Sequence, residues 1–341
     1  MTGTNRQVLL VARPAGIAQA EDFTVRETAV PDPGPGEVLV RNHYLSVEPA
    51  MRGWISDTGN YAQPIEPGSV MRSLASGEVI VSRHPDYSAG DRVTGWFGWQ
   101  DYACVTPDKI VQRTTAGEMR ASLGILGING ITAYLALTLV GQPRAGETVL
   151  VSTAAGAVGS AAGQIARILG CRTIGIAGGP EKVRRCIDEF GYDAAIDYRS
   201  QDIAAALARH APEGVDIYFD NVAGPISDAV MPHLAQRARV IVCGTASIDR
   251  WTPWPSGPRV ERHLLVKRAR MEGFVIFDHM DRYQEAVTRL RGWIAEGRLH
   301  WREDILDGIE ACPDALAGLY RGENDGKRLI RLIRDEQGEN A

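Results

Sequence analysis

TVLVSTAAGAVGSAAGQIARILG, residues 148–170, decides the fold of this chain. Thr148 to Ser152 is an apolar run of strand length, Ala154-Ala155-Gly156-Ala157-Val158-Gly159 is a turn, and small and apolar residues at helical spacing follow. This is the strand–turn–helix context in which G-x-G-x-x-G has meaning, with Ala154 in the first glycine position. Gly156 lacks a side chain, so the backbone can approach a pyrophosphate, and Gly159 lets the helix pack on the strand. The pyrophosphate would rest on the free N–H groups of the helix N-terminus, where the macrodipole is positive. The alternative is a small-residue turn with no ligand.

Outward from this turn, the chain from Leu123 alternates apolar runs with helical segments. GETVLVST, RTIGIAG, AAID, VDIYFDNV, RVIVCG and ARMEGFVIF read as six strands. GAVGSAAGQIARILG, EKVRRCIDEFG, IAAALARHAPEG, ISDAVMPHLAQ and RYQEAVTRLRGWIAEG read as helices. Such alternation calls for a parallel, doubly wound sheet. From Arg6 to about Gly117 the texture differs: VLLVA, EVLVRNHYLSV, SGEVIVS, DRVTGWFGWQDYACV and KIVQR are separated by PDPGPG, QPIEPGS and HPDYSAGD. Short strands with turn chemistry between them point to a barrel-like or sandwich β domain. The tail from about Leu299 to Ile333 reads as strand, helix and strand (KRLIRLI), able to return to the first domain.

Composition agrees with two α/β-type domains in one chain. The 341 residues correspond to about two domains at roughly 150 residues each. Apolar residues at 44% and charged residues at 23% exclude a disordered or fibrous chain. A net charge of −5, without a long run of one sign, gives no global attraction to nucleic acid. The five cysteines, Cys104, Cys171, Cys186, Cys243 and Cys312, form neither a CxxC pair nor a Cys/His cluster, and read as reduced thiols. The VLLVA run is shorter than a secretory apolar region of about 7–15 residues, and no stretch reaches the roughly 18 apolar residues of a membrane span. A cytoplasmic location is expected.

The second strand of the parallel set, Arg172–Ala177, ends in Gly178-Gly179-Pro180-Glu181-Lys182-Val183-Arg184-Arg185. NAD-binding folds place Asp or Glu here for the ribose 2′-hydroxyl, and a carboxylate would repel a 2′-phosphate. Here the strand ends without one, and Lys182 and Arg184 can neutralise such a phosphate. NADPH is therefore expected over NADH, with Tyr198 closing the same pocket through its hydroxyl. Glu181 has a structural use at the positive end of its helix. The plainer reading makes Lys182, Arg184 and Arg185 a solvated helix face. Asn221, Gly244 and Phe277 stand at the ends of later strands, where ligands of open parallel sheets bind; a turn role serves Asn221 equally well.

These residues together resemble the zinc-independent medium-chain dehydrogenase/reductase superfamily, and within it the prostaglandin reductase and curcumin-reductase-like alkenal/enone reductases. The resemblance rests on SVEPAMRGW (46–54), GWQDYACV (98–105), LGINGITAYLAL (126–137), AAGAVGSAAGQIA, GIAGGPEKVRR, YFDNVAG, RMEGFVIF and GENDGKRLI, in one order along nearly the whole chain. It implies a GroES-like β-barrel domain (1–122 with 298–341) and a Rossmann doubly wound parallel sheet domain (123–297). It further implies that Gly156, Ala157, Val158 and Gly159 bind the pyrophosphate and that Lys182 and Tyr198 contact the 2′-phosphate of NADP(H). Asn221, Cys243, Gly244, Phe274, Val275 and Ile276 would line the nicotinamide side, and Asn324 would reach in from the tail. A homodimer built on the cofactor domains is implied as well. The zinc-dependent cousins need a Gly-His-Glu stretch and a four-Cys lobe; this chain has Gly68-Ser69-Val70-Met71-Arg72 and no Cys cluster, so no metal is expected.

Three positions depart from the family pattern, all near the implied substrate pocket. Ala50 replaces a Tyr, Asn129 replaces a Pro, and Asp249 stands about where a second Tyr would be. The expected reaction is reduction of the C=C bond of an α,β-unsaturated ketone or aldehyde, with hydride reaching the β carbon and charge collecting on the carbonyl oxygen. With both tyrosines gone, Tyr61, a cofactor ribose hydroxyl or a backbone N–H is left as donor to that oxygen. A quinone-reductase-like activity and a non-catalytic NADPH-binding role are the competing readings. The histidines show no pairing that suggests a metal or a triad.

Overall fold

A computed structural model describes residues 3–58 and 60–333. The N-terminal part contains β1 (Thr4–Leu10), β2 (Phe23–Ala29), β3 (Val38–Ser46), the single-turn helix α1 (Met51–Trp54), β4 (Ala75–Ser82), β5 (Arg92–Gly95), β6 (Tyr102–Val105) and β7 (Ile110–Arg113). Next come α2 (Ile128–Leu135), β8 (Thr148–Ser152), α3 (Ala157–Ile168), β9 (Arg172–Ala177), α4 (Pro180–Asp188), β10 (Ala194–Asp197), α5 (Ile203–His210) and β11 (Val215–Asp220). They are followed by α6 (Gly224–Val230), β12 (Leu234–Val242), α7 (Glu261–Lys267), β13 (Arg270–Gly273) and α8 (Tyr283–Ala295). The tail holds β14 (Glu303–Asp307), α9 (Cys312–Arg321) and β15 (Lys327–Arg331). Residues up to Leu123, with those from Glu303, form one compact unit, and Gly124–Arg302 form another.

The first unit is built on β3. Its sheet runs β14-β15-β3-β4-β5-β7, with β6 also on β3, and β1 and β2 form a separate antiparallel pair. Val38–Arg41 pair with β6, while Tyr44–Ser46 pair with β15, so one strand serves two partners on the same side. Register shifts at Leu39/Val40 and Asn42/Tyr44 bend β3 between them. That curvature makes the sheet barrel-like. The tail strand β15 lies inside this sheet, between β14 and β3.

The second unit is a six-stranded parallel sheet of order β10-β9-β8-β11-β12-β13. In chain order this is 3-2-1-4-5-6, the doubly wound arrangement. Helices cover the central strands, which explains their nearly unbroken apolar runs: Val149, Leu150, Val151, Ile174, Ile217, Tyr218, Phe219, Val240 and Ile241 are all inaccessible to solvent. The α/β class expected from the alternation is therefore found, with corrections at three elements. ISDAVMPHLAQ is not one helix: α6 stops at Val230, a short 3₁₀ turn carries Pro232, and β12 already begins at Leu234. Pro232 cannot donate to a continuing helix. ARMEGFVIF is likewise not one strand, because β13 ends at Gly273 and Phe274–Ile276 lie beyond it. Helix α7 was not foreseen; its short, charged sequence hides the one face that packs Leu264 on the core.

Among the described residues no helix is long and apolar enough to cross a membrane, and no three His, Cys, Asp or Glu side chains gather as a metal cluster.

Candidate dinucleotide-binding site

The strand order places its reversal between β8 and β11. A crevice opens there at the carboxyl ends of strands in such sheets. The turn after β8 is tightly made. Thr153 adopts a left-handed φ of 49°, its hydroxyl donates to the Ser152 carbonyl at 2.7 Å, and Gly156 N–H donates to the Thr153 carbonyl at 2.8 Å. Gly156 is the N-cap of α3, and no side chain caps the helix. The first N–H groups of α3 therefore have no intrahelical or side-chain acceptor and present positive charge to an anion. Gly159 has the packing role read from the sequence: a β-carbon there would lie 2.2 Å from the Thr153 carbonyl oxygen.

A second residue enforces this close packing, and its role was not foreseen. The Tyr192 hydroxyl, fully inside the unit, donates to the Gly159 carbonyl at 2.7 Å. Its ring occupies the space left by Gly163, where a β-carbon would lie 2.0 Å from the ring. Burial raises the pKa of this phenol well above its ordinary value, so it stays a donor.

The adjacent turns after β9 and β10 form the part expected to read a 2′-phosphate. Gly179 caps α4 with a φ of 92°, a conformation that favours glycine. Its N–H donates to Asp197 Oδ1 at 2.8 Å, the Arg199 N–H donates to the same oxygen at 3.0 Å, and the Ser200 hydroxyl donates to Oδ2 at 2.8 Å. These donors, the Gly179 N–H foremost, hold the Asp197 carboxyl below the usual carboxylate range. Asp197 thus ties the two turns together. Lys182, half-buried, stands on the first turn of α4, and Tyr198 is exposed at the end of β10. Arg185 does not belong with them. It is buried between Glu181 at 3.1 Å and Glu189 at 3.6 Å, in ion pairs along its own helix.

The ends of β11 and β12 interlock. Asn221 donates its backbone N–H to Ser152 Oγ and its side-chain amide to the Ser152 carbonyl, both at 2.8 Å. The turn role of this residue is thus real, and it spans the strand reversal. Asp220, almost fully buried, accepts from the Val222 and Ala223 N–H groups at 2.9 Å and from the Tyr218 hydroxyl at 3.0 Å. Ser227 makes a further short bond to it. This cluster stabilises Ala223 at φ 57°, ψ −159°, a strained conformation for a residue with a β-carbon. Gly244 packs so closely on the Asn221 carbonyl that a β-carbon would lie 2.7 Å from it. Beside it, burial and the nearby Asp220 charge push the Cys243 thiol up to about 12, so it offers an uncharged wall and not a thiolate. Phe274 donates its N–H to the Val242 carbonyl at 3.0 Å and stacks on His279 at 5.0 Å; it and Ile276 are buried, with Val275 partly so. Asp249 is exposed in the irregular segment after Gly244.

In the first unit, Ala50 opens α1, between Pro49 and Met51. The segment around it is pinned. The Lys327 ammonium donates to Glu48 and to the Val47 carbonyl, both charged side chains being buried, and the Tyr320 hydroxyl donates to the Pro49 carbonyl at 2.8 Å. Two distant blocks of the family resemblance, SVEPAMRGW and GENDGKRLI, meet in this pair. Tyr61 is 55% exposed. Asn324 donates to the Gly326 carbonyl at 2.8 Å and so shapes its own turn.

Comparison with known proteins places this geometry. The N-terminal domain of oxidoreductase family matches residues 6–112, and the zinc-binding dehydrogenase family matches residues 157–291. The chain is 41% identical over 338 residues to an NADPH-dependent curcumin reductase of Escherichia coli, covering 97% of this chain and 98% of that one. It is 37% identical over 340 residues to a 2-alkenal reductase (NADP(+)-dependent) of Nicotiana tabacum, at 97% and 98% coverage. The chain belongs to the zinc-independent medium-chain dehydrogenase/reductase family. A solved member of this family, CurA from Vibrio vulnificus in complex with NADPH, superposes with a TM-score of 0.92 at 41% identity, covering 97% of this chain and all 100% of that one. As a family member, the chain combines a GroES-like unit with a Rossmann-like sheet.

The signal for Tyr192, Asp197 and Asp220 was present but unread. Asp220 holds the turn that follows it, whereas Tyr192 reaches the first turn of α3 and Asp197 the turn after β9, and nothing in a linear motif marks such distant partners.

Proposed function

We propose that this protein reduces the C=C bond of α,β-unsaturated ketones and aldehydes with NADPH as reductant. One observation carries the cofactor choice: the end of β9 offers no carboxylate to a ribose hydroxyl, and Tyr198 and Arg199 fill the space over Gly178. The substrate class is supported by the named activities of relatives matched over nearly their whole length. When bound, the nicotinamide supplies the hydride that reaches the β carbon. The chain's own groups bind and orient. The N-terminal N–H groups of α3, at Gly156–Gly159, hold the pyrophosphate, while Lys182 and Tyr198 hold the 2′-phosphate. Asn221, Cys243, Gly244 and Phe274–Ile276 form the uncharged wall against which the reducing ring is oriented.

Charge develops on the substrate carbonyl oxygen, and a donor there is worth about 2.7–4 kcal/mol of barrier. Ala50 and Asp249 supply no phenol, and Tyr61 is the candidate donor; its exposure supports a role in contact with a ligand. The decisive experiment is steady-state NADPH oxidation with matched enone and quinone panels. Turnover of enones with loss of the double bond is expected, and turnover of quinones alone, or tight NADPH binding without any turnover, overturns the reading. Tyr61→Phe should lower kcat by about 10²-fold with little change in NADPH affinity.

A cytoplasmic location is supported by the five free cysteines of the described residues. A homodimer through the cofactor-binding unit is supported by β13, which is an open sheet edge exposed along its whole length, and by Leu265 of the neighbouring α7, 75% exposed. Sedimentation of the purified protein at twice the chain mass is expected.

A further inference from the structure

Lys182 and Tyr198 follow from the family pattern, but the structure brings another cation to the same spot. A β-carbon built on Gly178 would lie 3.0 Å from Arg199 Nε, 2.9 Å from Tyr198 Cε1 and 3.0 Å from the Tyr198 hydroxyl. Gly178 directly follows β9, at the position from which a ribose-binding carboxylate projects in NAD-preferring folds. The volume of that absent side chain is therefore occupied by a phenol and a guanidinium. Arg199 is exposed, and its guanidinium carbon lies 5.9 Å from the Tyr198 ring centroid. An exposed guanidinium offers several N–H donors in a plane, the geometry suited to phosphate oxygens.

The backbone beneath Arg199 is held by Asp197, which is 7% exposed and accepts from the Arg199 N–H and the Gly179 N–H on one carboxylate oxygen. One buried anion thus fixes both the start of the helix carrying Lys182 and the residue carrying the second cation. We propose that Arg199 binds the 2′-phosphate of the cofactor and is a determinant of coenzyme preference, and that Asp197 is its positioning residue. Asp197 acts here as a brace, facing inward to N–H groups, although it is an acid at a strand end. This proposal rests on the NADPH assignment above. It adds that a carboxylate introduced at position 178, with its β-carbon 3.0 Å from Arg199 Nε, pairs with that guanidinium instead of a ribose hydroxyl, so coenzyme preference is not reversed there alone.

The test is titration of the full-length protein with NADPH, NADH and adenosine 2′,5′-bisphosphate, followed by nicotinamide fluorescence or calorimetry at two salt concentrations. Arg199→Ala is expected to weaken NADPH and the bisphosphate about tenfold and to leave NADH unchanged, with a shallower salt dependence. Arg199→Lys should recover part of the loss. Asp197→Asn should lower the NADPH-to-NADH preference, with the far-ultraviolet dichroism of the native protein retained. Gly178→Asp should lose NADPH affinity without gaining NADH affinity, and the added change Arg199→Ala should then allow NADH to bind more tightly. If Arg199→Ala weakens both coenzymes equally, or neither, the assignment of Arg199 fails. If Asp197→Asn weakens both equally, its positioning role fails. A wild-type protein that prefers NADH would instead overturn the underlying NADPH reading, a distinct outcome.

Discussion

Replacing Lys327 with methionine removes one half of an ion pair whose side chains are only 4% and 5% exposed. Glu48 would then be a carboxylate shut away from water and deprived of its ammonium partner, while the Ser46 hydroxyl still donates to it at 2.7 Å. Breaking a buried pair in this way costs about 3–5 kcal/mol. The remaining Ser46 bond places the expected loss near the lower end, about 3 kcal/mol, or a fall in Tm of roughly 6–12 °C for a unit of this size. The assay is thermal unfolding of the full chain by calorimetry, in which the transition of the first unit should move. The double variant Glu48→Leu/Lys327→Met removes both charges, and since a buried pair often contributes little net stability over apolar residues, most of the loss should be recovered. A single variant that melts within 2 °C of wild type, or a double variant that falls as far as the single one, would refute the account; the 2 °C margin corresponds to about 0.5–1 kcal/mol.

Gly159→Ala should abolish binding of both nicotinamide coenzymes in calorimetry, because the new methyl group meets the Thr153 carbonyl at 2.2 Å and that oxygen belongs to the turn itself. Lys182→Ala should raise the KM for NADPH about tenfold and leave that for NADH nearly constant; equal effects would remove Lys182 from the phosphate site. The pH dependence has a definite sign. Asp197 has its folded-state pKa lowered, so its stabilising contribution is whole above its ordinary value of about 4 and lost only as pH falls below that. A phosphate monoester, by contrast, loses its second proton near about 6. The ratio of NADPH to NADH affinity should therefore rise between pH 5 and 7, as the cofactor ester titrates, in fluorescence titrations over about that interval. A ratio flat across it would mean that phosphate charge does not set the preference.

The parallel sheet was legible because burial on both faces makes its central strands nearly unbroken apolar runs, and the phosphate turn because a glycine is needed where backbone must touch backbone. Gly159 is the clear case: the clash that its absent side chain avoids is with the carbonyl of Thr153, in the turn that precedes its own helix. The short elements were less legible. Helix α6 stopped at Val230, two residues before the Pro232 of the 3₁₀ turn that follows it, and Gly273 closed β13 where the apolar pattern ran on to Phe277. Hydrophobicity continues through Phe274 and Ile276 because they are buried, not because they extend a strand. At the site, the residues on strand ends could be named, but Asn221 could not be given its cross-strand bonds to Ser152, nor Asp197 its two turns. Those contacts depend on which strands become neighbours.

Glu48, just past the end of β3, and Lys327, on β15, are separated by 279 positions along the chain. A ribosome adding about 5–20 residues per second needs roughly 15–55 s to travel from one to the other. Throughout that interval the Tyr44–Ser46 stretch of β3 has an unmated flank, since β15 has yet to be made. The unit whose segments are contiguous from Gly124 to Arg302 can meanwhile assemble from residues already in hand. Birth order is thus inverted: the amino-terminal module is finished last, and a nascent chain stalled before residue 327 exposes a sticky β-edge that chaperones, or another nascent copy, can reach first.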